Sequence, residues 1–301
     1  MAPIPASLSK LRGTVGVWTS THESLAANEA GEIASELEGL GYSAMWVPEA
    51  WGRESFTNAG LLLSGSSTIT VGTSIANIWA RDAVSAANAS KTLNAAYQDR
   101  FVLGLGVSHQ PLVENLRGHT YVTPFLAMKA YLEAMDAAPM FSAEGTHEYP
   151  RVIAALGPKM LELGATLANG VLPYLVTPEH TAFSRTIIGD SFLGVEQAVV
   201  LGQDREEYLR RAHEHLEIYT GLDNYRNSWR RQGFDDEDFV RGGSERLCEA
   251  MVVHGDESAV VARIREHQAA GADHVCLQVL GADMGVVPRD EWHRLALSLD
   301  A

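Results

Sequence analysis

The fold turns on Ile69-Thr-Val-Gly-Thr-Ser-Ile75 and Phe101-Val-Leu-Gly-Leu-Gly-Val107, with an Ala-rich stretch over about 83–96 between them. Both runs are β-rich and apolar on both faces, as parallel strands covered on each side must be. The stretch between them reads as a helix. Outward in both directions the same alternation of strand and helix continues. Upstream stand Thr14-Val-Gly-Val-Trp-Thr19 and Ser43-Ala-Met-Trp-Val47, the second ended by Pro48. Between them Ala30, Ile33, Ala34, Leu37 and Leu40 recur at helical spacing, and Gly41 supplies a stop. A Leu-rich helix around 59–64 leads into the third strand.

Downstream, residues 108–150 keep one clear helix, about 125–136, in a loop rich in Gly, His and Pro. Strands follow at 152–156, 171–176, 197–201 and 274–280. After the first of these, Met160, Leu163, Gly164, Leu167 and Ala168 form an amphipathic helical face. Residues 204–272 read as one long helical region. Eight strands with interleaved helices predict an α/β chain folded as a (β/α)8 TIM barrel, with insertions after strands 4 and 7. A doubly wound open sheet is the rival. Residues 1–13 are aperiodic and read as an N-terminal arm, and 14–301 as a single domain.

Composition narrows the function. The chain has 301 residues, 46% of them apolar, which rules out intrinsic disorder. Lys and Arg total 23 against 38 Asp and Glu, a net charge of −15. That excess disfavours nucleic-acid partners. No apolar run is long enough to span a bilayer, and the N-terminus lacks a signal-peptide pattern. Two isolated cysteines, Cys248 and Cys276, point to reduced thiols and a cytoplasmic address.

In a barrel, functional groups gather at the C-terminal ends of strands. Those exits hold Trp18 to His22, Pro48 to Arg53, Ser74 to Trp79, Val107 to Gln110, Leu156 to Lys159 and Tyr174 to Thr177. Gly104 to His109 lacks the third glycine of a dinucleotide loop, so its glycines read as close backbone approach to a flat ligand or a neighbouring strand. Leu156-Gly157-Pro158-Lys159 opens a helix whose free N–H groups suit an anion, with Lys159 adding charge; an ordinary βα turn reads equally well. No metal motif stands out: His213 and His215 lie about 200° apart on a helix and read as a solvated face. No G-x-S-x-G elbow supports a serine hydrolase. An aldolase would need a strand-end lysine, and Lys91 and Lys129 fall in expected helices.

Gly72-Thr-Ser-Ile-Ala-Asn-Ile-Trp-Ala-Arg81 and Arg100-Phe-Val-Leu-Gly-Leu-Gly-Val-Ser-His-Gln-Pro111 resemble the bacterial luciferase-like superfamily. Within it they look like the deazaflavin-dependent (coenzyme F420) oxidoreductases of actinobacterial type. Residues 168–181, 224–229 and 270–274 fit the same group, and the resemblance runs from about Leu11 to Ala296. It implies a barrel whose third strand ends in a bulge, often with a non-prolyl cis peptide, backing the cofactor ring. Here that bulge is Ser74-Ile75, followed by Asn77. It implies that Val107, Ser108 and His109 lie along the ring and phosphate, and that Ala155, Leu156, Gly157 and Pro158 hold the tail. The position after strand two that faces the reacting carbon, often His in relatives, is Glu49. Departures from the group are Asp99 before Arg100, Ala83 where Pro is common and Asn169 where Asp is common.

His109 is the expected proton-transfer group, since imidazole titrates near neutrality; a loop histidine that only hydrogen-bonds the cofactor is the alternative. Glu49 could act as acid or base inside a wall of Trp46, Trp51 and Trp18, or simply pair with Arg53. His22 is a third candidate. Trp18, Trp51, Trp79 and Tyr174 are expected to wall the substrate pocket, and Arg81 to pair with Asp82. The expected activity is hydride exchange between the deazaflavin and a small molecule. The alternatives are an FMN-dependent monooxygenase and a non-catalytic flavin-binding relative. The resemblance also implies a homodimer.

Overall fold

The computed structural model describes residues 4–283 and 285–299. Thr14–Trp18 (β1), Ala44–Val47 (β2) and Thr70–Thr73 (β3) pair in parallel, each new strand laid beside the last. Beyond β3 the two-residue strand Ala76–Asn77 (β4) continues along Phe101–Gly106 (β5). Arg151–Ile153 (β6), Gly170–Val171 (β7) and Phe192–Leu201 (β8) follow. His274–Val279 (β10) pairs with β8 on one side and β1 on the other, closing the ring. The fold is a closed eight-stranded parallel barrel, with β4 continuing β3 and a ninth pairing outside the ring.

That ninth strand, Val252–Gly255 (β9), lies inside the stretch expected to be helical throughout. Its cause is geometric. β7 ends at Val171 and leaves the upper edge of β8 open, and Val252 to Gly255 pair with Ala198 to Leu201 there. β7 itself is shorter than expected because Pro173 has no N–H to give and Leu175 turns to φ 54°. β8 starts five residues earlier than expected, since Gly194 and Glu196 interrupt the apolar run that marks a strand.

The helices around the ring have ordinary local causes. In Ala27–Gly39 (α2), Ala30, Ile33, Ala34 and Leu37 form the buried face, and Glu29 Oε2 accepts from Ala26 N at 3.2 Å. Asp82 caps Ala83–Ala96 (α4) by accepting from Ser85 N at 2.9 Å. Ser55–Ser64 (α3), Pro124–Asp136 (α5), Pro158–Leu167 (α6) and Pro178–Ile188 (α7) complete the first six positions around the ring. After β8 come Arg205–Leu216 (α8), Asp223–Arg231 (α9), Glu245–Met251 (α10) and Glu257–Ala269 (α11); Arg289–Leu299 (α12) ends the chain. α8 to α10 build a second apolar cluster over the barrel, around Tyr208, Tyr225, Trp229 and Phe239.

The expected arm is more than an arm. Residues 1–3 lie outside the described residues, but Ala6–Ser9 (α1) is helical. Leu8 and Leu11 are buried among barrel-interior residues including Trp46, Val102, Phe192 and Cys276. They close the N-terminal end of the barrel, because an open ring would leave that apolar layer wet. Within it Trp46 Nε1 donates to His274 Nε2 at 3.0 Å, and His274 Nδ1 meets Thr14 Oγ1 at 3.1 Å. With Nε2 accepting, the proton of His274 sits on Nδ1.

Candidate active site

The bulge after β3 organises the opposite, C-terminal mouth. Thr73 Oγ1 donates to Gly104 O at 2.7 Å and accepts from Gly104 N at 2.9 Å, tying β3 to β5. The next peptide bond, Ser74-Ile75, is cis. Trp18 Nε1 donates to Ser74 O at 3.0 Å. Ile75 then lies flat on β5: a Cβ at Gly106 would fall 2.3 Å from Ile75 Cδ1, so no larger residue fits. Asn77 is buried, and its Oδ1 accepts from Trp79 N at 2.9 Å.

Glu49 braces this bulge from behind. Its carboxylate accepts from Asn77 N at 2.7 Å and Ser55 N at 3.2 Å, and it forms an ion pair with Arg81. The side chain is 4% exposed. Two expected pairings are therefore corrected. Glu49 does not meet Arg53, because residues 48–54 are not helical and the i, i+4 spacing brings nothing together. Arg53 instead meets Glu23 and the carbonyls of His22 and Leu25. Arg81 does not pair with Asp82, which is spent as the cap of α4. It bridges Glu49 and Glu54 and lies 5.0 Å over the Phe56 ring. Nor does the tryptophan wall form: Trp46 is inside the barrel, and Trp51 stands 68% exposed on the rim.

His22 sits fully buried in the turn after β1, with Asn58 Nδ2 of α3 at 2.9 Å from its Nε2. Burial pushes its imidazole down to about 4. It belongs to the packing of that turn on α3 rather than to the mouth. His109 does reach the mouth. It is half-buried in the loop after β5, where Ser108 takes φ 55°, and its ring lies 5.9 Å from Tyr225. Burial holds this imidazole below its ordinary range. Trp79 Nε1 donates to Val107 O at 3.0 Å, and Tyr121 Oη donates to Ser108 O at 3.3 Å, so this loop is pinned on both sides.

Across the mouth Ala155 is buried, Gly157 precedes α6 and Pro158 fills its first turn. Leu156 O accepts from His180 Nε2 at 2.9 Å and from Arg231 Nη2 at 3.0 Å. Lys159 is exposed beside it. Arg231 was not among the expected residues; its only sequence signal is the Arg230-Arg231 doublet ending α9.

Between these walls lies a cluster of aromatic side chains that sequence reading largely missed. Tyr174 Oη donates to Gln278 Oε1 at 2.7 Å, its ring is 5.7 Å from Trp18, and Tyr219 Oη lies 3.4 Å away. His215 Nε2 is 3.5 Å from Tyr174 Oη. His213 points elsewhere, its Nδ1 3.0 Å from Gly242 O. The two histidines are thus packed in different places rather than forming a solvated face. Tyr219 and Tyr225, 4.8 Å apart, join the cluster from the insertion after β8. Next to it, Glu196 is 3% exposed and accepts from Leu175 N.

A barrel of this connectivity has known counterparts. Residues 10–274 match the luciferase-like monooxygenase family, and the chain belongs to it. Among curated relatives, a Mycobacterium tuberculosis protein named as a coenzyme F420-dependent oxidoreductase is 25% identical over 191 residues, 54% of this chain and 55% of its own. The 5,10-methylenetetrahydromethanopterin reductase of Methanolobus tindarius is 27% identical over 157 residues, 46% of this chain and 48% of its own. The chain thus spans about half the length of the curated relatives it matches. A solved F420-dependent secondary alcohol dehydrogenase, in complex with an F420-acetone adduct, superposes with a TM-score of 0.76. It covers 95% of this chain and 98% of its own at 13% identity, a likeness of fold.

Proposed function

We propose that this chain is an oxidoreductase that binds the deazaflavin coenzyme F420 across the barrel mouth and exchanges a hydride between it and a small organic molecule. The observation that carries the reading is the Ser74-Ile75 bulge, laid on Gly106 and braced by Glu49 and Arg81. It offers a flat, fixed backing of the kind a tricyclic ring needs. Ser74, Ile75 and Asn77 form that backing, and Val107, Ser108 and His109 the adjoining edge. The helix start at Gly157 and Pro158, with Lys159 and Arg231 beside it, suits a phosphate-bearing tail. When bound, the deazaflavin supplies a two-electron hydride carrier. The name of the Mycobacterium tuberculosis relative supports this cofactor over FMN.

Titrating the apoprotein with F420 and with FMN, followed by fluorescence, tests the reading. F420 should bind in the micromolar range or tighter, and FMN at least about tenfold more weakly, a gap of about 1.4 kcal/mol. Equal or tighter FMN binding overturns it in favour of the monooxygenase reading. Pairing of two copies is part of the same proposal. Leu116, Val122, Leu126 and Phe141, all exposed near the segment after β5, are the apolar surface such pairing would cover.

A further inference from the structure

Side chains on β8 alternate. Leu193, Val195 and Val199 join the cluster between strands and helices, whereas Phe192 packs in the barrel interior. Glu196 shares the Phe192 face and stands opposite Cys276 of β10 in register. It is 3% exposed, and one oxygen, Oε2, accepts from Leu175 N at 3.3 Å. The other oxygen, Oε1, has no partner among the described residues, and no ion pair reaches the carboxyl. A buried carboxyl left half-unsatisfied is a costly arrangement that packing alone does not require.

The groups around it are also uniform in character. Tyr174 faces it from the β7 exit, Tyr219 from the turn after α8, Tyr225 from α9 and Cys276 from β10. His215 of α8 stands beside Tyr174. Burial raises the three phenols and the thiol and lowers His215 to about 4. At neutral pH none of them is charged, so the Leu175 N–H alone among these groups favours a carboxylate, and burial outweighs it. Burial accordingly pushes Glu196 up to about 8.

Resting on the function proposed above, we infer that Glu196 is the proton-handling residue of the site. As a carboxylic acid it gives its Oε1 proton to the oxygen or nitrogen of an uncharged substrate's C=O or C=N bond. The carbon of that bond takes up a hydride from the reduced cofactor. The double bond becomes C–H plus O–H or N–H, the acid is left as carboxylate, and the cofactor is left oxidised. In the opposite direction the carboxylate recovers the proton. Tyr174, held by Gln278 and Tyr219, positions the heteroatom over the acid.

The experiment compares wild-type protein with Glu196→Gln and Glu196→Asp, each loaded with F420. Carbon-13 NMR of carboxyl-labelled glutamate reads the acid without any turnover. One signal, absent in Glu196→Gln, should titrate near pH 8. Reduced-cofactor oxidation by cyclohexanone, benzaldehyde and a cyclic imine reads the chemistry. Glu196→Gln should bind F420 within about threefold of wild type yet lose at least about 100-fold in turnover, along with the alkaline limb of the pH profile. Glu196→Asp should keep that limb. A Glu196 signal titrating in the ordinary carboxylate range overturns the inference, as does full turnover in Glu196→Gln. A limb abolished by His109→Ala but kept in Glu196→Gln overturns it too. Binding of F420 together with any of these results leaves the proposed function standing. Failure to bind F420 at all overturns both.

Discussion

At the residue scale, the carboxylate expected to act as acid or base at the mouth is held as a brace. Glu49 looked like the acid because it follows a strand; in place, it is consumed by two backbone N–H groups and a guanidinium. Glu49→Gln should therefore act on stability. It leaves the nearly buried Arg81 with the exposed Glu54 as its one remaining carboxylate among the described residues, which should cost about 3 kcal/mol, and the bulge loses part of its brace. The pH profile of turnover should keep both limbs. Chemical denaturation and a pH–rate series check this, and loss of one limb with unchanged stability would return Glu49 to acid–base work. Glu196 was invisible to the same reading for a plain reason. A single acidic residue in an apolar run reads as the end of a strand, and its partners Tyr219, Tyr225 and Gln278 are distant in sequence.

At the element scale, legibility followed periodicity. The eight barrel strands could be found because strands buried on both faces leave continuous apolar runs, and α2 and α6 because a 3.6-residue stripe survives in them. β9 could not, since its existence depends on β7 being too short to cover the edge of β8. The bulge at Ser74-Ile75 was locatable only through the resemblance, whereas its support by Gly106 and Trp18 came from the structure. The segment that begins the chain was misjudged because one helical turn is too short to show a period. Leu11→Ala tests its part in closing the barrel. Deleting a fully buried leucine side chain there should cost about 2–5 kcal/mol. A urea midpoint equal to wild type would mean that the segment merely rests on the barrel.

At the scale of the whole molecule, buried titratable groups of opposite sign shape stability. His22, His267 and His274 are fully buried, and burial pushes them to about 4, 3 and 4 from an ordinary value of 6.5. Between those values the unfolded chain holds protons that the folded one refuses, so each histidine makes stability rise with pH up to about 6.5. Glu196 has the reverse sign. Pushed to about 8 from 4.5, it holds a proton in the folded state that the unfolded chain has released, and stability falls as pH climbs through that interval. Above pH 4.5 and below 6.5 these three histidines, joined by His215 at about 4, oppose one glutamate, and the net slope is upward. Beyond 6.5 the histidines are neutral in both states and only Glu196 still acts, so the slope turns downward until about pH 8. Stability should therefore peak between about pH 6 and 7. The fall should be on the order of 5 kcal/mol on the acid side by pH 4.5 and about 2 kcal/mol on the alkaline side by pH 8, because a proton bound in one state only is worth about 1.4 kcal/mol across each pH unit. Urea midpoints taken from pH 4.5 to 8.5 at constant ionic strength measure this directly. In Glu196→Gln the acid-side rise should remain and the fall above 6.5 should flatten into a plateau. Parallel curves for wild type and variant above pH 6.5 would show that Glu196 ionises alike in both states, and that its buried surroundings do not hold it as an acid.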